Sequence, residues 1–383
     1  MINTYVYSMN VHILKDNKLS QNVYNEVIET LQSFNNPLIF LKSTENISID
    51  EIDVESKTMK EEDFNTKASY SHSTPSSFAI FPIKRKVSHP NDILKICHEF
   101  RREKDIGDKD FVILLTEQAN NLNWFSFGDK NNNAFIHSSD WGYYLGCNSA
   151  YPISYEVIVN IYYMILFEGI HDINKHTHKI PEGCINDFCK QKKDIKLKMR
   201  TADICSTCQN LMLERNFPMA ISTQIFKIME HLRTKMIALE RFIRTRGASK
   251  VEFRGYIRRF FLTDLDDLEI KLTPLEKTVY HMFINHQEGI TANCIMDFKQ
   301  ELYDLYTIFY NGDNLANFKN SINNLCDYLN PSMQEKISSI KRKIINSVGS
   351  NMAKYYIIEK DNIDDRYKIK LDRNLVSFMS SSK

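Results

Sequence analysis

Apolar residues recur at helical spacing in four stretches of the chain. Val23, Val27 and Leu31 mark a helix over 20–34, with Ser20 placed to cap it. Ile221, Ile225, Ile228, Met229, Leu232, Met236, Leu239 and Ile243 mark a long one from Pro218 to Arg244, closed by Gly247. Leu275, Val279, Met282 and Phe283 mark a third, which opens with Thr273 as cap, Pro274 in the first turn and Glu276 completing a capping box. Ile337, Ile340, Ile344 and Val348 mark a fourth over 333–348. Between these, shorter patterns predict strands at 4–16, 37–41 and 111–118, the last continuously apolar as in a central strand. The run SFAIFPI is expected to resume order before a helix over 90–102. Two further strands flank the turn made by Gly128, Asp129 and three asparagines, and a helix apolar on almost every face opens at Ser154 and runs to Phe167. Residues 43–77 are too polar to bury a core and read as a flexible insertion. A short strand at 268–272 precedes the third helix, another helix covers 295–309, and the end YYIIEKDNIDDRYKIKLD reads as a hairpin.

Composition narrows the class. With 383 residues the chain has room for two or three domains with cores of their own. A net charge of +1 gives no global field for nucleic acid or membrane. The start lacks a secretory pattern, and the most apolar run, Val157 to Phe167, is too short to span a bilayer. These features predict a cytoplasmic protein, of bacterial type. P-loop, dinucleotide-binding and nucleophile-elbow motifs are missing, which argues against nucleotide-driven or hydrolase chemistry.

The chemistry-bearing stretch is GCINDFCKQKKDIKLKMRTADICSTCQNL. Four of the eight cysteines fall in it, Cys184, Cys189, Cys205 and Cys208, spaced C-x4-C-x15-C-x2-C. Two short-range pairs meeting across a helix supply the four soft tetrahedral ligands that Zn2+ prefers. The alternatives are four unlinked core cysteines or a disulfide pair. A site closed by four thiolates keeps no position for water, so the single zinc expected here is structural. The basic run from Lys190 to Arg200 between the pairs reads as a solvated helix face.

The order FVILLTEQ, FSFG, AFIHSS, apolar helix, C-x4-C and C-x-x-C resembles the archaemetzincins. That family carries HExxHxxGxxH for a catalytic zinc and four downstream cysteines for a structural one. The resemblance implies a metzincin-like mixed α/β domain over 1–216, with Cys184, Cys189, Cys205 and Cys208 as the structural ligands. The catalytic motif is not reproduced. In LFEGIHDINKHTH, Phe167 stands at the first histidine, followed by Glu168 and His171, and no glycine turn or third histidine follows at the family spacing. A zincin needs two imidazoles one helical turn apart with a glutamate between them. The expectation is a degenerate, non-catalytic scaffold. The alternative is a metallopeptidase with an unconventional site built from Glu168, His171, His176 and His178.

Residues 217–262 read as connecting helix and linker. From Leu268 onward, the strand, the LTPLE helix, two further helices and the hairpin resemble the winged-helix effector domain of response-regulator transcription factors, placing such a domain over 263–383. The resemblance implies that the helix over 333–348 reads DNA and the hairpin is the wing. Lys336, Ser339, Arg342, Lys343 and Asn346 fall opposite its apolar stripe, and Arg366, Lys368 and Lys370 lie on the hairpin. From Pro331 to Lys383 there are 11 Lys and Arg against 6 Asp and Glu, a local excess of +5. The fold class expected is α+β, a zinc-stapled metzincin-like domain joined by a long helix to a winged helix. The function expected is transcription regulation through DNA. The alternatives are the metallopeptidase and a protein-binding adaptor, with a protein partner or a homodimer held through 218–244.

Overall fold

The computed structural model describes residues 8–47, 49, 89–310, 315–362 and 364–379. The N-terminal half is built on a five-stranded sheet. Its strands are β1 (Met9–Asp16), β2 (Leu38–Ile47), β3 (Phe111–Thr116), β4 (Ser126–Gly128) and β5 (Asn133–His137), in the order β2-β1-β3-β5-β4. All pairings are parallel except β4 with β5. Parallel strands are buried on both faces, which is why β3 reads as an unbroken apolar run. Alternate residues part to opposite sides. Val11, Ile13, Phe111, Ile113, Leu115, Ala134 and Ile136 face one core, while Leu14, Val112, Leu114 and Phe135 face another.

The first core is covered by α1 (Gln21–Gln32) and a long central helix, and the second by α2 (Pro90–Glu103). After β5 come α3 (Trp141–Leu145), the central helix α4 (Ala150–Leu166), α5 (Ile170–His176), α6 (Ile195–Thr201), α7 (Ser206–Glu214) and α8 (Met219–Arg246). Helix α4 starts at Ala150, four residues before the expected Ser154, with Pro152 in its first turn, where a missing N–H costs nothing. Strand β2 runs on through residues 43–47, expected as loop, because Asn46 and Ile47 stay paired with Lys15 and Asp16. The rest of the expected insertion except Ile49, and the SFAIFPI run, lie outside the described residues.

Helix α8 spans both halves. Ile221 to Met236 belong to the first core, and Phe242 and Ile243 pack on the C-terminal one, so its apolar stripe is covered within the chain. Residues 251–262, expected as linker, instead form β6 (Val251–Arg254) and β7 (Arg259–Leu262). With β8 (Leu268–Ile270) and the last strand they make a four-stranded sheet. There follow α9 (Pro274–Asn285), β9 (Ile290–Thr291), α10 (Lys299–Phe309), α11 (Leu315–Cys326), α12 (Ser332–Val348), α13 (Ser350–Ala353), β10 (Ile358–Lys360), β11 (Arg366–Ile369) and β12 (Val376–Met379). The sheets are ordered β12-β6-β7-β8 and β10-β11-β9. The capping box of α9 is present, with the Glu276 carboxylate accepting the Thr273 N–H at 2.7 Å. The fold class is therefore mixed α and β, as expected.

The two halves dock through glycines. A Cβ on Gly142 of α3 would lie 2.4 Å from the Ile345 carbonyl oxygen, and one on Gly349 would lie 2.1 Å from the Gly146 carbonyl carbon. Only residues without side chains let the backbones come so close. The Ser149 N–H donates to the Asn346 carbonyl at 2.8 Å and the Ser350 hydroxyl to the Tyr143 carbonyl at 3.1 Å. No single helix among the described residues is long and apolar enough to cross a membrane.

Candidate metal centre

Two backbone bridges gather the metal-type donors. His178 pairs with Asp187, with its N–H on the Asn186 carbonyl and the Phe188 N–H on its own carbonyl, both at 3.0 Å. Cys184 pairs with Asp203, the Ile185 N–H donating to the Asp203 carbonyl at 3.0 Å. Three segments therefore converge: the one after α5, the 184–188 loop, and, further along the chain, the start of α7. Cys205 is the N-cap of α7 and Cys208 lies in its first turn, where the positive end of the helix dipole favours thiolates.

The donor set is His178, Cys184, Cys205 and Cys208, whose ligand atoms all lie within 4.8 Å of one another. The Nε2 of His178 is 3.3 Å from the Cys208 sulfur and 3.7 Å from that of Cys205. Tetrahedral zinc with Zn–S near 2.3 Å and Zn–N near 2.0 Å needs donor separations of roughly 3.5–3.8 Å. The set fits a zinc ion in number and softness, and the two His178 separations lie close to that range. Backbone and amide donors already point at the sulfurs: the Cys205 N–H at Cys184 (3.3 Å) and the Asn186 side-chain amide at Cys208 (3.0 Å). A hydrogen bond shared between Cys184 and Cys208 pushes the Cys184 thiol up and pulls the Cys208 thiol down.

Cys189, expected as the fourth ligand, lies outside this set. Its sulfur faces the Asp187 carbonyl at 3.5 Å, and burial pushes its thiol up to about 11. His178 stands in the cluster in its place. The usable sequence signal was H-x5-C-x20-C-x2-C, hidden because the histidine is brought in by the bridge to Asp187 and not by a repeat of the cysteine spacing.

The alternative catalytic constellation is not assembled. Helix α4 ends at Leu166, Phe167 is extended, and α5 departs at 102° after Gly169, whose φ of +135° suits glycine alone. Glu168 and His171 are exposed and fall on either side of this break, so they share no helix face. His176 stacks on the Phe167 ring and contacts Asp172, which is paired with Arg215. That pairing holds the Asp172 carboxyl at about 2. His178 is committed to the cysteines. Among the described residues no second group of His, Cys, Asp or Glu has metal-binding geometry.

Of the expected DNA-facing residues, Arg342 and Arg366 are exposed and Lys336 is half-buried. Ser339 and Lys343 both donate to the buried Glu276. The Asn346 side chain is 3.1 Å from the Ser149 hydroxyl across the module interface. Lys368 pairs with Asp361 and Asp364, and Lys370 with Glu359. In the basic run before α6, Lys192 is not a solvated side chain. Its ammonium reaches the His137 and Ser139 carbonyls and lies 4.4 Å over the Trp141 ring, and burial pulls it down to about 7.

Fold and centre together define a two-module α and β chain with a histidine and three cysteines arranged for zinc. Two solved structures are similar to it. Archaemetzincin from Methanopyrus kandleri shares 12% identity over 56% of this chain and 99% of its own, with a TM-score of 0.33. A zinc-dependent peptidase from Methanocorpusculum labreanum shares 14% over 53% and 99%, with a TM-score of 0.32. No family model and no curated protein matches the chain.

Proposed function

We propose that this protein is a non-catalytic, zinc-stapled regulator whose C-terminal module is a winged helix that binds duplex DNA. The observation that carries the reading is the order α9-β9-α10-α11-α12-β10-β11 closed by the sheet β10-β11-β9, the strand arrangement of a winged helix with one added helix. Arg342 and Lys336 on α12 and Arg366 on the hairpin supply cations for phosphate contact, fewer than the sequence promised. The non-catalytic part is supported by a donor set that already fills four positions and leaves none for a reacting water. Binding to mixed-sequence duplex, followed by fluorescence anisotropy from about 50 to 200 mM salt, tests it. Arg342→Ala and Arg366→Ala are each expected to lower the salt slope by about 1. Salt-independent or undetectable binding would turn the reading to protein contact, and peptide hydrolysis by the zinc-loaded chain would overturn the non-catalytic part.

A further inference from the structure

We propose that the fourth zinc ligand is the Nε2 of His178 and that Asp187 is the positioning residue that makes it one, leaving the Cys189 thiol outside the coordination sphere. The inference rests on the zinc reading of the cluster and specifies its chemistry.

An imidazole ligates through one nitrogen only if the other carries the proton. The Nδ1 of His178 is 3.0 Å from the Asp187 Oδ1. Asp187 is 2% exposed, and its Oδ2 accepts the Glu182 and Gly183 N–H groups at 3.0 and 2.6 Å. Both carboxylate oxygens are thus acceptors with fixed donors, and the proton on His178 is held at Nδ1. The Nε2 lone pair is then directed at the Cys205 and Cys208 sulfurs. Such carboxylate-to-histidine support raises ligand basicity and fixes ring orientation. Three thiolates, a divalent cation and Asp187 sum to a net charge of −2 in the interior. Lys198, 3% exposed, directs its ammonium at the Ile185 and Asp187 carbonyls, where it offsets part of that charge.

Cys189 is kept away by the same residue's backbone, its sulfur lying against the Asp187 carbonyl. A turn in which the Asp187 N–H donates to the Cys184 carbonyl at 3.0 Å sets this geometry. The loop presents a carboxylate to the histidine and turns the nearby thiol aside.

X-ray absorption on the zinc-loaded, unmutated protein reads the ligand set without relying on any variant to fold. Three sulfurs near 2.3 Å and one nitrogen near 2.0 Å are expected. Four sulfurs would overturn the inference while leaving the zinc site standing, and absence of bound zinc would overturn the site itself. Zinc affinity of variants then tests Asp187. Cys189→Ser is expected to leave affinity and spectrum unchanged. Asp187→Asn is expected to weaken zinc roughly 10–100-fold, because an amide turned to Nδ1 favours the wrong tautomer. In a His178→Cys background, which gives a four-sulfur spectrum, Asp187→Asn should have no effect. An equal loss in both backgrounds would make Asp187 merely structural and sink its positioning role.

Discussion

Two histidines, one half-buried in the first module and one buried in the second, show how differently the halves of the chain are held. His178 has a carboxylate on one nitrogen and two thiols before the other. His281 on α9 is 1% exposed, and neither ring nitrogen has a hydrogen-bond partner among the described residues. Its surroundings are rings: Phe253 at 4.3 Å, Phe309 stacked at 5.3 Å and Phe378 of β12 at 5.7 Å. Arg258 lies over Phe378 and Lys277 over Phe309, so cations close both ends of the stack. The first module gathers a histidine and three cysteines into one cluster, with Asp187 on the far side of the ring. The second closes its core with aromatic packing and leaves a polar ring unsatisfied.

The largest expected consequence is the response to metal removal. Structural zinc sites contribute apparent binding free energies of roughly 10–16 kcal/mol in small peptides, comparable with the whole stability of a domain. Chelation, or Cys205→Ser, is expected to abolish cooperative unfolding of the N-terminal module while a transition from the C-terminal one survives. Calorimetry with and without chelator checks this. Melting that ignores the chelator would mean that the four donors are only core residues.

The cysteine spacing pointed to a metal-type cluster in the N-terminal module; the place of His178 in that cluster was not legible. Cys205 and Cys208 announce themselves because a turn of helix fixes both. His178 is recruited by a backbone bridge nine residues away at Asp187, and nothing in the local pattern reports such a pairing. The long helices were readable for the opposite reason: α1, α8, α9 and α12 each carry an apolar stripe that needs only local periodicity. The end of α4 was legible to within one residue, expected at Phe167 and found at Leu166, and Gly169 marks the turn into α5. For Lys343 and Ser339, periodicity says which side of α12 is polar and not that Glu276 of α9 accepts from both there.

Smaller, and aimed at whether the modules respond separately, is the glycine contact between them. Gly349 has φ +76° and ψ 163°, a region open almost only to glycine, and a Cβ added there would overlap the backbone of residues 146 and 147. Gly349→Ala is expected to cost about 3 kcal/mol and to pull the two unfolding transitions further apart, measured by urea denaturation. A variant as stable as the parent would show that residues 146 and 147 do not press against Gly349.

Acid should distinguish the histidines next. Burial, helped by the Arg258 and Lys277 charges, pulls His281 down to about 3 from an ordinary 6.5. The folded state therefore keeps the ring neutral while the unfolded state takes a proton as pH falls below 6.5. Stability from this group is complete above that pH and is lost progressively down to about 3. The loss is about 1.4 kcal/mol per pH unit, or roughly 2 kcal/mol between pH 7 and 5. His281→Phe should remove this part of the acid sensitivity, so the stability difference between variant and parent grows in the variant's favour at pH 5. A difference independent of pH would mean that water reaches the ring.

The smallest effect sharpens the comparison from the side that the sequence read best. The α9 box joins Thr273 to Glu276, and Glu276, 3% exposed, also accepts from Ser339 and Lys343. Burial alone would raise its pKa, but the hydrogen bonds from Lys343 and Ser339 outweigh it and hold the carboxyl below its usual range. Thr273→Ala removes the hydroxyl and leaves that network in place, so the expected cost is about 1 kcal/mol, that of one cap. It should fall on the C-terminal transition and be the same with and without zinc, since independent sites add. If chelation changes it by more than about 0.5 kcal/mol, the two cores are coupled through α8 and the docked glycines, and neither module is stabilised on its own terms.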